Sequence, residues 1–388
     1  MNKKKNLLKP MLLVGILGLT SCGPNGQTSI VIPEFDPNSY ETEVDLEVAK
    51  NRIYKAITNS SKVDEMRVTS DVKKIEYGNV LLDLETPNAS KKMTSTSGKY
   101  KQVNNISGLT SLDPNAIMES TTMQDIELRI KKDGICPEEN DDIQTVGCKV
   151  DTYIKNNRQY VSFDDPTLRE YLPYILYGFG NFASIEDAKE EANKVPEKFY
   201  LPGEVFKKEN LPIGGGLGQL SMDDMTTAFN YIIDLNNEFD TKFLTFTSND
   251  DDLLMNIDLN SEHIREIIIK IMKQVKPDFD ASMEKTFRQF FSTFVVIEAC
   301  DFYFLIDKNN QVTYQNIKID FSIRSTQDVE VEPGVVHSHA KRDFTTIDIE
   351  NFIEYKNVII SYPKDLNSYK EYDLKLPNLP VIPTDIQN

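Results

Sequence analysis

The sequence predicts an α+β protein in which helices pack against one face of a largely antiparallel β-sheet. Three observations lead to this fold class. Runs with apolar residues at helical spacing occur between groups of runs in which every second residue is apolar. Short polar turns separate successive strand-like runs, which is typical of antiparallel pairing. The run from Thr313 to Arg324 has one apolar and one polar side, as expected for a sheet covered on one face.

The beginning of the chain predicts a leader, a tether and then a folded domain. A basic start, an apolar run from Leu12 to Leu19 and a small-residue ending form a signal peptide over residues 1–21. That apolar run is too short to span a bilayer, which takes about 20 residues. Residues 22–43 are rich in turn formers and predict a flexible tether. We expect one domain over residues 44–373 and a proline-containing tail over 374–388.

In the first half of the domain, helical spacing predicts a leading helix over Val44–Thr58. Residues 164–220 are expected to form an insertion of helices and loops, with a helix over Ile185–Asn193 and a glycine-rich connector. Alternation predicts five strands before this insertion. They cover Met66–Val72, Val80–Leu84, Met123–Ile130, Cys148–Ile154 and Gln159–Phe163.

In the second half, helices are predicted to begin at Ser221, Ser261 and Ser282. A hairpin precedes the second of these helices and turns at an acidic segment around Asp251. Its strands and the later ones are predicted from apolar alternation. They cover Lys242–Thr247, Leu253–Leu259, Phe294–Ile297, Phe302–Ile306, Thr313–Arg324, Val335–Ile349 and Asn357–Ser361.

Composition excludes some classes of partner. The net charge is −18 and the pI is near 4.7, whereas phosphate backbones are bound by clustered Lys and Arg. We therefore expect no nucleic acid partner. The same charge disfavours adsorption to anionic lipid headgroups, so membrane association should come from an anchor. Hydrophobic residues make up 39% of the chain, which is enough for a substantial core.

The four cysteines have different expected roles. Cys22 ends the leader and is the expected lipid anchor. Cys136 and Cys148 flank an acidic loop, and their spacing permits a disulfide in an oxidising location without requiring one. Cys300 lies in an apolar run and is expected to be a small buried residue.

Two resemblances to known families extend this interpretation. The ending Leu19-Thr20-Ser21-Cys22 resembles the bacterial lipobox, which implies that the Cys22 sulfur takes a diacylglyceryl group. Cys22 would then be the mature N-terminus, anchored at the extracytoplasmic face of the cell membrane. The order of elements resembles the LolA and LolB carriers and the LprG and LppX type of lipoproteins. The matching segments are Val44–Thr58, Arg158–Phe163, Leu253–Leu259, Phe302–Asp307 and Val358–Pro363.

The second resemblance implies a sheet curved into a half-barrel that holds acyl chains between its concave face and covering helices. Such a site needs an apolar surface that its own side chains fill incompletely. Apolar residues on the predicted strands could line that surface, or they could simply form a filled core. They are Leu253, Met255, Ile257, Leu259, Phe302, Phe304, Ile317, Ile319 and Phe321.

The remaining polar patterns are weak signals for chemistry. His337 and His339 point to one side of a predicted strand and could bind zinc with Asp343 or Asp348, but a surface pair is the preferred interpretation. The glycines between Pro212 and Gly218 fit neither phosphate-binding fingerprint, and Gly-x-Ser-x-Gly is absent. His263 near a helix start is expected to be solvated. We therefore assign no catalytic residue, metal or cofactor.

The function expected from the sequence is a non-enzymatic, lipid-anchored extracytoplasmic protein that binds or shuttles a lipid or other acyl-chain ligand. One alternative is a structural or adhesive surface lipoprotein with a fully packed interior. A weaker alternative is a hydrolase or a solute-binding component. The sequence leaves open the ligand, the protein partner and the oligomeric state.

Overall fold

The structure is a computed structural model of the chain. The expected signal peptide, Cys22, Cys136, the glycine-rich connector and the expected C-terminal tail lie outside the residues that it describes. The described residues are 30–60, 62–85, 91–107, 119–130, 144–155, 158–162, 169–170, 172–173, 176, 185–201, 222–249, 251–275 and 278–372.

Thirteen described strands form one sheet, and every neighbouring pair is antiparallel except the last. The strands are β1 Thr42–Glu43, β2 Met66–Asp83, β3 Lys91–Ser107, β4 Glu119–Ile130, β5 Gln144–Lys155, β6 Arg158–Ser162, β7 Lys198–Leu201, β8 Leu244–Asn249, β9 Asp252–Asp258, β10 Val295–Ile306, β11 Val312–Glu332, β12 Val335–Glu354 and β13 Lys370–Glu371. Their order across the sheet is β1-β8-β9-β10-β11-β12-β2-β3-β4-β5-β6-β7-β13, with β7 and β13 parallel.

Five α-helices are described beside this sheet, which confirms the α+β class. They are α1 Leu46–Ser60, α2 Ile185–Lys194, α3 Met222–Glu238, α4 Ser261–Val275 and α5 Ala281–Phe294. Short 3₁₀ turns cover Pro37–Ser39 and Leu366–Ser368. Among the described residues, no helix combines the length and the apolar character needed to cross a bilayer.

Side-chain caps explain where the helices of the second half begin. Asp280 accepts hydrogen bonds from the amides of Ser282 and Met283 at 2.9 and 2.8 Å, which satisfies the first turn of α5. Asn260 accepts from the amide of His263 at 2.9 Å, and the His263 Nδ1 lies 3.3 Å from the Asn260 amide. This reciprocal pair acts as a capping box for α4, with a histidine in the place usually taken by glutamate.

Most predicted elements are confirmed, and the differences have physical causes. The two runs predicted around Met66–Leu84 form the single strand β2, and those around Phe294–Ile306 form β10. The whole of β3 was missed because its sequence is polar, without apolar alternation, and it is paired on both sides by β2 and β4. The predicted strand over Asn357–Ser361 is wrong. There the Val358 amide donates to the Glu65 carboxylate at 2.9 Å, and Ile359 is 87% exposed.

The main core lies between one face of the sheet and the helices α1 and α3. Regular helix spacing brings Ala49, Ile53 and Ala56 of α1 onto this core. Partly buried Met255, Ile257, Leu259 and Ile267 pack against the same cluster. The buried members are Ala49, Ile53, Ala56, Phe229, Ile233, Leu235, Phe243, Leu244, Phe246, Leu253 and Ile306.

The opposite face of the sheet carries a smaller core that includes the N-terminal segment. Leu254, Leu305 and Tyr314 are buried there, and the Phe35 ring stacks on Tyr314 with centroids 3.9 Å apart. Tyr40 adds a second ring 5.6 Å from Phe35. Strand β1 follows at once and pairs with β8. Phe35, Tyr40 and Thr42–Glu43 of the predicted tether are therefore in contact with the folded body.

Replacing Phe35 tests this attachment. We expect Phe35→Ala to lower the free energy of unfolding by about 1–2 kcal/mol, because it removes a half-buried ring and its stacking on Tyr314. Urea unfolding measures the change. Val31→Ala is the control, since Val31 is 81% exposed and should give no loss. Equal stability of the two variants would contradict the packing of this segment.

Candidate functional site

Strand register brings the predicted pocket residues onto one face of the sheet. Ile257, Phe302 and Ile317 form one row across β9, β10 and β11, and Ile349 of β12 continues it. The neighbouring row contains Cys300 and Ile319. Side chains at every second position share a face, so these rows belong to one surface. This apolar face consists of Met255, Ile257, Phe302, Phe304, Ile317, Ile319, Phe321, Ile347 and Ile349.

Burial separates Leu253 from the other eight predicted pocket residues, which are all partly buried. Leu253 is fully buried in the main core, so for this residue the core interpretation is the right one. Met255, Ile257 and Leu259 pack at the border of that core. The other five are only partly buried: Phe302, Phe304, Ile317, Ile319 and Phe321. The predicted pocket residues thus extend from the filled main core onto a half-covered apolar surface.

Strand β11 departs from the simple expectation of one covered apolar side. Its buried residues lie on the polar side, where Tyr314, Asn316 and Ser322 are at most 8% exposed. The N-terminal segment covers Tyr314, and Asn316 donates to the Ile349 carbonyl at 3.2 Å. On the apolar side Ile323 is 40% exposed. The expectation that the apolar side is the dry one is therefore wrong for β11.

Helix α4 packs on the side of the sheet that carries the main core, where its Ile267 contacts that cluster, and ion pairs join α4 to α5. Both helices contact β10, and α5 also contacts β11. Arg288 of α5 donates to Glu266 of α4 and to Glu284, and these contacts raise the pKa of the guanidinium. Lys273 of α4 pairs with Glu284 at 2.7 Å.

The pKa values of the two glutamates show the same connection between the helices. The Arg288 hydrogen bond holds the pKa of Glu266 below its usual value, and that of Glu284 is lowered first by Lys273 and then by Arg288. The charged form of each carboxylate is thus stabilised by a basic residue of the other helix. The two helices form one unit, here named the α4–α5 pair.

An open cleft of about 460 Å³ lies where α4 begins, away from the predicted pocket residues. It is lined by Glu238, Phe239, Asp240, Thr241, Asn260, Glu262, His263, Glu266 and Lys270. The expectation of a solvated His263 is wrong. Its side chain is buried against the rings of Phe239 and Phe243, and Nε2 lies 3.0 Å from the Thr241 carbonyl oxygen. His263 therefore fixes the start of α4 to the segment before β8.

The face of the sheet opposite the main core carries a pair of carboxyl groups that the sequence did not reveal. Asp258 of β9 lies beside Asp301 of β10. Desolvation, and then the charge and hydrogen bond of Asp258, raise the pKa of Asp301. The pKa of Tyr303 is raised by burial and by the same two carboxylates. The parts of the chain that the structure describes hold no group of three or more His, Cys, Asp and Glu suited to a metal ion.

The two histidines of β12 have protein partners. His337 Nδ1 lies 2.8 Å from Asp83 Oδ2, and Nε2 lies 3.3 Å from Glu85. His339 is buried, with Nδ1 3.1 Å from the His337 carbonyl oxygen. Since Asp83 is only 1% exposed, His337 is the partner of a buried carboxylate rather than part of an exposed pair.

The cysteines are only partly described. Cys148 lies in β5, opposite Ile126 of β4, and because Cys136 is outside the described residues the disulfide stays a prediction. Cys300 is a free thiol on β10 and is partly exposed rather than buried. Desolvation raises its pKa, so the thiolate is disfavoured.

Comparison with known proteins leaves the family open. No family model matches the chain, and no curated protein matches it. Among solved structures, a mutant of the Rh. blastica porin is similar over 74% of this chain and 100% of the porin chain, at 8% identity and a TM-score of 0.16. That TM-score is too low to carry an argument about fold or function.

The His337–Asp83 contact predicts a pH dependence of stability. The Asp83 hydrogen bond raises the pKa of His337 above its ordinary 6.5. The stabilisation is therefore fully present below about pH 6.5 and is lost as the pH rises through the raised pKa. We expect His337→Asn to remove this part of the pH dependence, measured as unfolding free energies between about pH 6 and pH 9.

Lys189→Gln serves as the control for this measurement, because the Lys189–Glu186 pair is exposed and lies on α2, outside the strands that carry His337 and Asp83. It should keep the wild-type slope. A slope that is unchanged in His337→Asn would show that the contact with Asp83 does not form in solution.

Proposed function

We propose that this protein is a membrane-anchored extracytoplasmic lipoprotein that binds or carries a lipid or other acyl-chain ligand without catalysing a reaction. The observation that carries the proposal is the apolar face, which four adjacent strands build and the α4–α5 pair covers only in part. In this proposal the sheet curves as a half-barrel, with the ligand between its face and the helices.

The energetics of an acyl chain suit such a surface. A soluble domain rarely leaves a large contiguous apolar surface facing water without a partner. Each methylene group that moves from water to this surface contributes about 0.8 kcal/mol, so a long chain needs no specific polar contact to bind tightly. Met255 at the border of the core could adapt to chains of different shape.

The α4–α5 pair supplies a cover that can move as one unit. Its ion pairs connect the two helices to each other, and a further contact joins Lys270 of α4 to Glu238 of α3. Ile267 of α4 packs against the main core, and Phe291 of α5 is buried. A ligand could therefore enter by displacing the pair from β11 without breaking the bridges within it.

The lipid anchor is the second part of the proposal. The resemblance to a lipobox at Cys22 supports acylation, and the acidic charge of −18 means that a bilayer would hold this chain poorly without an anchor. Phe35 already packs on the sheet, so the chain between Cys22 and the body would be short. The protein would remain at the extracytoplasmic face of the cell membrane.

One observation favours the alternative of a structural or adhesive surface lipoprotein. The hairpin of β11 and β12 exposes apolar side chains near its turn, with Val331 42%, Val335 41% and Val336 57% exposed. Exposed apolar residues of this kind can mark a contact with another protein. The two functions differ in whether the apolar face takes up a ligand.

Uptake of a fluorescent fatty acid tests the ligand proposal. We expect delipidated protein to bind cis-parinaric acid saturably, and Ile319→Gln to weaken that binding about tenfold, because an amide replaces apolar groups on the apolar face. The measurement is a fluorescence titration. The absence of saturable uptake by the wild-type protein would leave the structural alternative.

A neighbouring residue provides the matched control for Ile319→Gln. Lys318 lies next in sequence, is exposed and points to the opposite face of β11. Lys318→Gln should therefore bind the fatty acid as the wild type does. Equal weakening by both substitutions would place the binding elsewhere.

Acylation at Cys22 is tested by metabolic labelling with palmitate. The wild-type protein should carry the label, and Cys22→Ser should lose it, because the thiol that forms the thioether is gone. Cys300→Ser is the control and should keep the label, since its thiol lies on β10 within the folded body. A labelled Cys22→Ser protein would disprove the anchor assignment.

A further inference from the structure

Strand β11 has one open edge over its final part, Arg324–Glu332. Strand β10 pairs with this edge only as far as Ile323, whereas β12 pairs with the other edge as far as Glu332. In the described parts of the chain, no strand pairs with Arg324–Glu332 on the β10 side, and this segment is here named the open edge. The free N–H and C=O groups of such an edge can pair with a further strand.

The open edge faces solvent. All of its side chains are exposed except that of Val329, which is partly buried. Val331 is 42% exposed, and Val335 and Val336 at the turn of the hairpin are 41% and 57% exposed. Folded proteins usually cover, shorten or bend an exposed strand edge. An open edge beside exposed apolar residues therefore marks a surface for a partner.

Charge is distributed unevenly along the open edge. Asp328 and Glu330 lie two positions apart towards the turn, whereas Arg324 lies at the opposite end. Asp328 accepts a hydrogen bond from the Ser338 hydroxyl at 2.8 Å, and Glu330 accepts one from the Gly334 amide at 2.7 Å. The donors in these bonds are neutral groups, so the half of the edge near the turn is negative.

This charge pattern disfavours a second copy of the chain as the partner. In an antiparallel pair of two copies, the turn of one hairpin approaches the start of β10 in the other, which pairs with Ile323. The overlap is thereby limited to the part near the turn, in a register centred on Val329. That register places Asp328 opposite Glu330 of the other copy on both sides of the two-fold axis. Like charges directly opposite each other are destabilising.

We propose that the open edge binds an extended segment of another protein as an added antiparallel strand, in which basic residues lie opposite Asp328 and Glu330. Main-chain hydrogen bonds supply the affinity in this mode of recognition, and alternate side chains supply the specificity. An apolar residue between the two basic ones would lie opposite Val329, and an acidic residue would lie opposite Arg324. The proposal goes beyond the acyl-chain ligand and the anchor, and neither takes part in the contact.

The probe for this contact is a fluorescein-labelled peptide, Lys-Val-Lys-Val-Thr-Val-Glu, whose antiparallel addition gives those pairings. We expect saturable binding to the full wild-type chain, measured by fluorescence anisotropy. Asp328→Lys should weaken this binding about fivefold, because it replaces an attractive cross-strand pair with a repulsive one. Glu34→Lys is the control with the same change of charge, since Glu34 is exposed on the N-terminal segment. It should bind the peptide as the wild type does.

Two N-methylated forms of the peptide test the strand pairing itself. A strand that adds to an edge directs the N–H groups of every second residue towards that edge. Methylation of one alternate set of amides should therefore abolish binding, while methylation of the other set should leave the affinity unchanged. Both forms keep the charge and the side chains of the peptide, and they are measured on the wild-type chain. The comparison is therefore independent of how Asp328→Lys folds.

Several results would overturn the proposal. They are the absence of saturable binding, equal binding to Asp328→Lys and Glu34→Lys, and an equal effect of the two methylated forms. Sedimentation of the wild-type chain without and with the peptide tests the other occupant. A dimer that the peptide dissociates would assign the open edge to a second copy and overturn the proposal.

Discussion

On one face of the strands β9 to β12, every second side chain contributes either to the packed main core or to the half-covered apolar face. The row of Ile257, Phe302 and Ile317 begins at the border of the main core and ends on the apolar face. A shift of one residue in register would turn every one of these side chains to the other side of the sheet. The apolar face therefore depends on pairing that the buried Leu253 and Ile306 stabilise.

Coverage of this face differs along the sheet because the helices are held in different ways. Helix α1 is fixed by buried Ala49 and Ile53 and by Arg52, which donates to the carbonyls of Ile306 and Asp307 at 3.0 and 2.6 Å. The α4–α5 pair relies more on ion pairs between its own helices. Exposed or partly exposed ion pairs contribute little to stability. The burial of Ile269 and Phe291 therefore contributes more to holding this pair than its ion pairs do.

Sequence patterns predicted the elements whose apolar spacing is strong, such as β11 and α4, and the shared face of the predicted pocket residues. They could not predict β3, because its stability comes from two neighbouring strands rather than from its own apolar residues. The burial of His263 and the pairing of Asp258 with Asp301 depend on residues distant in sequence. The split between core and half-covered surface also required the positions of the helices, which spacing alone does not give.

The N-terminal segment and the apolar face lie on opposite sides of the sheet, and this arrangement bears on how an anchored carrier could work. Phe35 and Tyr40 pack near Tyr314 and Leu254 on the face opposite the main core, and β1 pairs with β8 at the edge of the sheet. Phe35 and Tyr40 therefore take no space on the apolar face. Helices α4 and α5 lie between β9 and β10 in sequence, and His263 fixes the start of α4 to the segment before β8. In the proposed function, an anchor attached on this side of the sheet would hold the body at the membrane while the apolar face stays open to a ligand.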